Sequence, residues 1–306
     1  KKPPHRAGSD YIAQAMEVSA VQTVKVQAPA KLNLTLDVLG RREDGYHDLR
    51  MVMQSVGLCD ALTLEPGKGE GVRVKSNLGF LPSDGRNLAA AAALVFWKDR
   101  GIEPYPLDIT LEKVVPVCAG LGGGSSDAAA VLRAMNEIHG TGLSLEQLAV
   151  IGQKVGSDVP YCVLGCTALA EGRGEVLTTL PTLPRCWVVL CKPDFSVSTP
   201  ALFAQIDSVR LRRRPDTEGV LKALEMGDLP GVARRLYNVF EDALPERCAA
   251  KVNQVKHILI QRGALGGAMS GTGSAVFGLF DKEEEAQSAY EELLALYPET
   301  FLTQTV

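Results

Sequence analysis

A glycine-rich segment in the first half of the chain has the residue types that bind phosphate. Residues 116–130 read PVCAGLGGGSSDAAA and stand between a strand-like run and a strongly helical run. Glycine lacks a side chain and reaches positive φ values, so such a loop can turn backbone N–H groups toward an anion. We expect Ser125, Ser126 and Asp127 to cap the start of the helix, where free N–H groups and the helix dipole favour a phosphate. The segment predicts a cradle for a nucleotide polyphosphate.

Two better-known phosphate loops do not match this segment. The Gly-x-x-x-x-Gly-Lys-[Ser/Thr] loop requires a lysine after the glycines, and this segment has none. Ser125 stands where the dinucleotide motif Gly-x-Gly-x-x-Gly has its last glycine. The competing interpretation is a tight turn that lets the helix pack closely on the sheet. Four glycines and two hydroxyls exceed what a tight turn needs, so we favour phosphate binding.

A lysine and an asparagine are expected to point the same way from an early strand. Residues 24–38 alternate in the manner of a strand. Successive side chains of a strand point to opposite faces. From residue 31 onward we therefore expect one face to carry the polar residues Lys31, Asn33 and Thr35. The other face is expected to carry the apolar residues Leu32, Leu34, Leu36 and Val38.

Asp158 is an acidic residue beside an apolar stretch. It follows Gly156 and precedes Val159-Pro160, and residues 159–164 are otherwise apolar. A carboxylate in such surroundings is costly unless it is paired, hydrogen-bonded or used in chemistry. A role in chemistry is slightly favoured over the alternative, which is the capping of a helix.

The polar loop at residues 40–49 carries an aromatic ring and an imidazole side by side. It reads GRREDGYHDL, with Tyr46 next to His47. A tight turn needs neither residue, so the pair indicates contact with a planar ligand. An ordinary surface loop remains the alternative.

Composition excludes several classes of function. The chain has 306 residues and a net charge of −4, which gives no overall basic field for a nucleic acid. Seven cysteines without a Cys-x-x-Cys pair, together with scattered histidines, favour neither a disulfide framework nor a zinc site. No apolar run approaches the length of a membrane span. We expect a bacterial cytoplasmic protein, and a plastid protein without its transit peptide would have the same features.

The order of the predicted elements indicates two domains after an amino-terminal extension. Residues 1–22 lack clear periodicity and are expected to be poorly structured, and a Pro-rich linker at residues 181–184 separates the two halves. We predict a nucleotide-binding domain over residues 23–183 and a second domain over residues 184–306. A second glycine loop at residues 263–274 precedes a strand, so it cannot be a helix-terminus phosphate site, but it can close over the first loop.

Three segments resemble the three motifs of the GHMP kinase family. They are the strand Pro29-Ala30-Lys31-Leu32-Asn33-Leu34, the loop at residues 116–129 and the late Ser270-Gly271-Thr272-Gly273-Ser274. The resemblance implies an α+β fold of two domains: an amino-terminal domain like the second domain of ribosomal protein S5 and a ferredoxin-like carboxy-terminal domain. It also implies ATP and Mg²⁺ as cofactors, with no residue marked as a metal ligand.

Within the family, the Gly-Tyr-His loop is most similar to members that phosphorylate the 2-hydroxyl of 4-diphosphocytidyl-2-C-methyl-D-erythritol in the non-mevalonate isoprenoid pathway. The match implies Asp158 as the base and Lys31 as its cationic partner. The nucleotide-binding residues are then Asn87, Lys113, Pro116, Ala119, Gly120, Leu121, Gly122, Gly123, Gly124, Ser125 and Ser126. The substrate-binding residues are Asn33, Tyr46, His47, Thr199, Phe203, Gly271, Thr272 and Gly273.

Several alternatives remain open at this level. Asn87 is also a good helix N-cap, and Lys113 fits a solvated strand end equally well. A homoserine or mevalonate type of kinase would share the motifs but would have no cytosine to stack, and a non-catalytic small-molecule sensor could share the fold. A nucleic-acid-binding module is suggested only by the ribosomal kinship. We expect small-molecule partners, no nucleic acid, no membrane, and a monomer or weak homodimer.

Overall fold

The computed structural model describes residues 23–306, and the predicted extension at residues 1–22 lies outside that range. The strands are, in chain order, β1 (Val24–Arg41), β2 (His47–Pro66), β3 (Val72–Ser76), β4 (Leu107–Glu112), β5 (Thr167–Gly172), β6 (Val176–Thr179), β7 (Trp187–Cys191), β8 (Tyr237–Asn238), β9 (Gly266–Met269), β10 (Val276–Phe280) and β11 (Thr300–Gln304). The α-helices are α1 (Leu88–Arg100), α2 (Gly123–Ile138), α3 (Leu145–Gln153), α4 (Val159–Leu164), α5 (Thr199–Ile206), α6 (Thr217–Glu225), α7 (Leu229–Ala233), α8 (Glu246–Gln261) and α9 (Glu283–Leu296), and a 3₁₀ helix covers Val239–Asp242.

The first sheet is built around the long hairpin of β1 and β2. Its strand order is β3-β4-β2-β1-β8, and β5 and β6 extend from the other end of β2. Helices α1 and α2 cover one face, with the large rings of Phe96 and Trp97 fully buried there. The alanines at the start of α2 let this helix lie close to the sheet, since their side chains end at Cβ. The middle of β1, at Pro29 and Lys31, thereby lies against the glycine-rich loop and the start of α2.

The second sheet is antiparallel and has the order β11-β7-β10-β9. When only the four strands of this sheet are numbered along the chain, their order in the sheet is fourth, first, third and second. Helices lie between the first and second strands and between the third and fourth. That order is the ferredoxin-like arrangement that the resemblance implied. Strand β8 leaves this half and pairs in parallel with β1 of the first sheet. The proposed boundary between residues 183 and 184 stays a prediction.

A β-bulge corrects the predicted faces of β1. Between Asn33 and Thr35 the pairing with β2 slips by one residue. A slip of one residue reverses the side to which later side chains point. Leu32 and Leu34 therefore pack in the core shared with the second sheet, whereas Leu36 packs in the core beneath the helices. The single apolar face predicted over Leu32 to Val38 is wrong, because both faces of β1 are covered.

The start of α2 also differs from the prediction. The N-cap is Gly122, whose φ of 67° makes the turn, and no side chain caps the helix. Ser125, Ser126 and Asp127 lie inside the helix rather than before it, so their predicted capping role is wrong. The helix instead begins within the glycines, at Gly123, so the N–H groups of its first turn, which have no partner inside the helix, belong to the glycine-rich loop itself.

None of the helices over residues 23–306 is both long and apolar enough to cross a membrane.

Candidate active site

A cavity of about 1010 Å³ opens where the two sheets meet. Strands β1 and β2 form its floor, the glycine-rich loop and the start of α4 form one side, and α5 forms the other. The predicted site residues that line it are Lys31, Asn33, Tyr46, His47, Gly120, Gly122, Ser125, Asp158, Thr199, Phe203, Gly271 and Thr272. Residues far apart in sequence thus share one cavity of the size of a small-molecule site.

Lys31 and Asp158 form an ion pair inside this cavity. Lys31 Nζ lies 3.7 Å from Asp158 Oδ2, and the lysine side chain is only 6% exposed, against 36% for the aspartate. Although Asp158 is the N-cap of α4, its side chain makes no capping hydrogen bond. The alternative capping role is therefore not seen, and the carboxylate stays accessible from the cavity beside a buried cation.

Asn33 holds Lys31 from the other side. Lys31 Nζ donates a hydrogen bond of 2.7 Å to Asn33 Oδ1, and the Asn33 backbone N–H donates to Ser270 Oγ at 3.2 Å. Ser270 Oγ in turn donates to the carbonyl of Gly120 at 2.9 Å. These bonds join β1, the second glycine loop and the first glycine loop. The position of the lysine ammonium is thus fixed by three separate segments.

Two glycines of the first loop are required by close contacts within the protein. A Cβ on Gly120 would lie 2.0 Å from the Ser270 carbonyl oxygen, and one on Gly122 would lie 2.9 Å from Lys31 Cγ; both residues have positive φ. Gly123 differs, because its Cβ would point inward at Lys113 Nζ and Val115. A side chain at Gly123 would thus meet protein rather than a phosphate in the cavity.

The loop is tied to β1 by two hydrogen bonds. The Lys31 N–H donates to the Leu121 carbonyl at 3.0 Å, and Ser126 Oγ donates to the Pro29 carbonyl at 2.7 Å. Ser126 is buried and lines neither of the two cavities beside the loop, so its hydroxyl is placed to anchor the helix. Ser125 has no such bond and faces both cavities.

The second glycine loop packs on the first, as the sequence suggested. The Ala275 N–H donates to the Ala119 carbonyl at 3.0 Å. Thr272 and Thr199 join through their hydroxyl oxygens, 2.9 Å apart, which links this loop to the start of α5. Gly273 is not brought to the cavity. A Cβ there would lie 2.6 Å from Met269 Sδ, so this glycine serves the packing of the loop.

A second cavity of about 340 Å³ lies on the other side of the first glycine loop. The two cavities share Leu88, Gly120, Gly122 and Ser125. The predicted residues in the smaller cavity also include Asn87, Lys113, Pro116, Ala119, Leu121, Gly123 and Gly124. Asn87 Oδ1 accepts from the Ala89 N–H at 3.0 Å, so its capping role is present as well.

Lys113 sits in a buried cluster with two aspartates. Its Nζ donates to Asp60 Oδ2 at 2.5 Å and to Asp127 Oδ2 at 2.9 Å, so the solvated strand end is wrong. Asp60 Oδ1 also accepts from two backbone N–H groups, those of Val114 and Val115. Among residues 23–306, Asp127 Oδ1 has no hydrogen-bond partner. Burial, opposed by the charge of Lys113 and reinforced by Asp60, raises the pKa of Asp127 to about 7.

At the far end of the large cavity, His47 is surrounded by rings and charge. Its imidazole lies 5.1 Å from the Phe203 ring, and its Nε2 lies 2.8 Å from Asp207 Oδ1. Tyr46 is 59% exposed, and the Arg173 guanidinium stands 5.0 Å from its ring centre. The loop predicted from Tyr46 and His47 therefore forms a wall of the cavity with an exposed aromatic face.

Sequence reasoning missed several charged residues of this region, and three of them make contacts described above. Asp207, the C-cap residue of α5, follows Phe203 by four residues, and Arg173 stands between two glycines in the β5–β6 turn; both line the large cavity. Asp60 lies in an apolar part of β2, the same signal that singled out Asp158. An acidic residue within an apolar strand could thus have been found from the sequence, whereas the partners of Asp207 and Arg173 depend on the fold.

Comparisons with known proteins identify the family. The model of the N-terminal domain of GHMP kinases matches residues 87–166, and that of the C-terminal domain matches residues 220–299. The chain belongs to the GHMP kinases, a family of ATP-dependent small-molecule kinases, and it has the two-domain fold implied by the three motifs.

Two similar curated relatives have the same name. The 4-diphosphocytidyl-2-C-methyl-D-erythritol kinase of Alkaliphilus metalliredigens is 41% identical over 93% of this chain and 97% of its own length. That of Exiguobacterium sibiricum is 45% identical over 92% of this chain and 98% of its own. A crystal structure of 4-(cytidine 5'-diphospho)-2C-methyl-D-erythritol kinase superimposes with a TM-score of 0.77 at 34% identity, covering 92% of this chain and 99% of that one.

Proposed function

We propose that this protein transfers the γ-phosphoryl group of ATP to the 2-hydroxyl of 4-diphosphocytidyl-2-C-methyl-D-erythritol, a step of the non-mevalonate isoprenoid pathway. The observation that carries the proposal is the pair of cavities that share one glycine loop. The smaller cavity has room for the adenosine, the loop faces the phosphates, and the larger cavity holds the acceptor. Names shared by relatives at 41–45% identity support this choice of substrate.

Asp158 is the proposed base. Its carboxylate would accept the proton of the 2-hydroxyl while that oxygen bonds to the γ-phosphorus and the bond from the γ-phosphorus to the β,γ-bridging oxygen breaks, which releases ADP. Lys31, 3.7 Å away and buried, would stabilise negative charge at the reacting group. Phosphoryl transfer depends mainly on positioning and on charge neutralisation. In this proposal Asp158 positions the acceptor hydroxyl and Lys31 supplies the neutralising charge.

Mg²⁺ is proposed to arrive with the nucleotide. Over residues 23–306 no group of three or more His, Cys, Asp or Glu side chains could hold a metal ion by itself. This fits a cation that is held mainly by phosphate oxygens and water and takes few protein ligands. The free hydroxyl of Ser125, which faces both cavities, is the protein group that fits such an ion. When bound, the ion would neutralise charge on the phosphates.

The cytidine end of the substrate would occupy the wall formed by Tyr46, His47 and Phe203. Tyr46 offers an exposed ring on which a pyrimidine can stack, and Phe203 supplies the second aromatic surface. Asn33 would face the methylerythritol end beside Lys31, together with Thr199, Gly271 and Thr272. A homoserine or mevalonate kinase has no base to stack, so this wall favours the cytidine substrate over those alternatives.

The proposal also covers the partners, the compartment and the oligomeric state of the protein. ATP and the cytidine diphosphate-linked polyol are the small-molecule partners, and the bacterial cytoplasm is the compartment in which both would be met. A monomer or weak homodimer would suffice, because a single chain supplies every residue of the site described above.

A direct assay tests the function. The protein is incubated with ATP, Mg²⁺ and a panel of alcohols that includes the cytidine substrate, homoserine and mevalonate, and mass spectrometry follows the gain of one phosphoryl group. We expect the cytidine substrate to be phosphorylated with the highest kcat/KM. Asp158→Asn serves as the matched inactive variant. Faster phosphorylation of homoserine or mevalonate would overturn the substrate assignment, and turnover of no alcohol would overturn the function.

A further inference from the structure

One helix holds the imidazole of His47 in place from two directions. Phe203 and Asp207 are four residues apart near the end of α5, so they lie on the same side of that helix. The Phe203 ring packs on the imidazole at 5.1 Å, and Asp207 Oδ1 lies 2.8 Å from Nε2. His47 itself is buried and starts β2, on the other wall of the cavity. The contact therefore crosses the cavity between the two halves of the chain.

The carboxylate determines which ring nitrogen carries a proton. A carboxylate is an acceptor, so a hydrogen bond of 2.8 Å requires the proton on Nε2 of His47. In the neutral ring the other nitrogen, Nδ1, then has a free lone pair and can only accept. Because Asp207 occupies Nε2, Nδ1 is the ring nitrogen left for a ligand in the cavity.

The two pyrimidine bases differ in what such an acceptor would meet. Cytosine has an amino group at position 4, which donates, whereas uracil has a carbonyl there, which accepts. An Nδ1 lone pair can bond to the first and repels the second. We propose that Asp207 is a positioning residue for base selection: it fixes the Nε2–H form of His47 and so favours cytidine over uridine in the large cavity. This proposal rests on the proposed function, since it assumes a cytidine-bearing substrate.

A merely structural tie between α5 and β2 would use the same contact, so the test reads the imidazole directly. Nitrogen-15 NMR of the free protein reports the protonation of Nδ1 and Nε2, and the His47 signals are assigned by their loss in His47→Asn. We expect wild type at pH 8 to show a protonated Nε2 and an unprotonated Nδ1. In Asp207→Ala the two nitrogens should share the proton, and Asp207→Asn should restore the wild-type pattern because its amide oxygen still accepts.

Kinetics supply the second measurement. Asp207→Ala should raise the KM for the cytidine substrate about two- to tenfold, the worth of one hydrogen bond, and should lower the preference for cytidine over uridine. The kcat and the KM for ATP should stay the same, since the contact lies away from Lys31 and Asp158. Gln205→Ala, an exposed change on the same helix, is the matched control and should alter neither constant.

Each outcome is decisive. A wild-type His47 with a protonated Nδ1, whether as the other tautomer or as an imidazolium, would overturn the acceptor role. An Asp207→Ala variant with unchanged base preference would reduce Asp207 to a structural contact. If wild type phosphorylates no cytidine substrate at all, the proposed function fails, while the NMR result still decides whether Asp207 sets the proton of His47.

Discussion

Replacing Asp127 by asparagine should stabilise the protein at alkaline pH. Asp127 is buried beside Asp60 and shares Lys113 with it, so two carboxylates compete for one ammonium group. Asp60 has three donors, while Asp127 has one donor and a buried oxygen without a partner. The folded protein is therefore expected to keep a proton on Asp127, and an asparagine amide reproduces that neutral form.

The raised pKa of Asp127 determines the sign and the size of the change in unfolding free energy with pH. Burial raises the pKa of Asp127 from 3.8 to about 7, so between these values the folded chain holds a proton that the unfolded chain has lost. The unfolding free energy of wild type then falls as pH rises, by about 1.4 kcal/mol per pH unit. Over the whole interval the loss reaches up to about 4 kcal/mol. Asp127→Asn removes this dependence and should be more stable than wild type at pH 8.

Urea unfolding at pH 5, 6, 7 and 8 measures the effect. The difference between Asp127→Asn and wild type should grow across this series and level off above pH 7. Asp108→Asn, which removes a carboxylate paired with Arg73 at the surface, is the control and should show little change with pH. A wild type whose unfolding free energy does not fall over this range, or an Asp127→Asn variant that is destabilised equally at every pH, would refute the reasoning.

Three further substitutions test the site. Asp158→Asn should lower kcat by about 10²–10⁴-fold and leave ATP affinity unchanged by calorimetry, because it removes a base and keeps the shape; near-normal kcat would exclude Asp158 as the base. Tyr46→Ala should weaken the cytidine substrate by roughly 1–3 kcal/mol without affecting ATP, and an unchanged KM would argue against stacking. Gly122→Ala should lower activity more than Gly123→Ala, because only Gly122 combines a positive φ with a contact to Lys31; equal losses would contradict this.

Local sequence patterns predicted the elements better than their partners. The glycine loop, α2 and the helix capped by Asn87 could be placed because their signals lie within a few residues. The bulge of β1 could not, since the slip between Asn33 and Thr35 depends on what covers each face of the strand. The short strands β8, β9 and β11 were also missed, because two to five residues show little periodicity and their pairing is set by the tertiary fold.

In the candidate active site, too, local sequence patterns indicated individual residues but not their partners. Lys31 and Asp158 were linked only through the resemblance to a family, and the structure brings them within 3.7 Å. The pairs His47–Asp207 and Asp60–Lys113 join residues 160 and 53 positions apart, which no local pattern specifies. Asp127 shows how a local signal can mislead: an acidic residue after glycines suggested a cap, but the helix begins earlier and turns its side chain into the core.

The position of Lys31 depends on both halves of the chain. Its backbone N–H binds the first glycine loop, its ammonium binds Asn33, and Asn33 and Gly120 both bind Ser270 of the second glycine loop. A displacement of the second loop would therefore release the bonds that Ser270 makes to Asn33 and Gly120, and with them the support of the two segments to which the lysine is bound. Since Thr272 of that loop also contacts Thr199 at the start of α5, and α5 carries Phe203 and is capped by Asp207, the proposed substrate wall and the proposed reacting groups are joined by one continuous set of contacts.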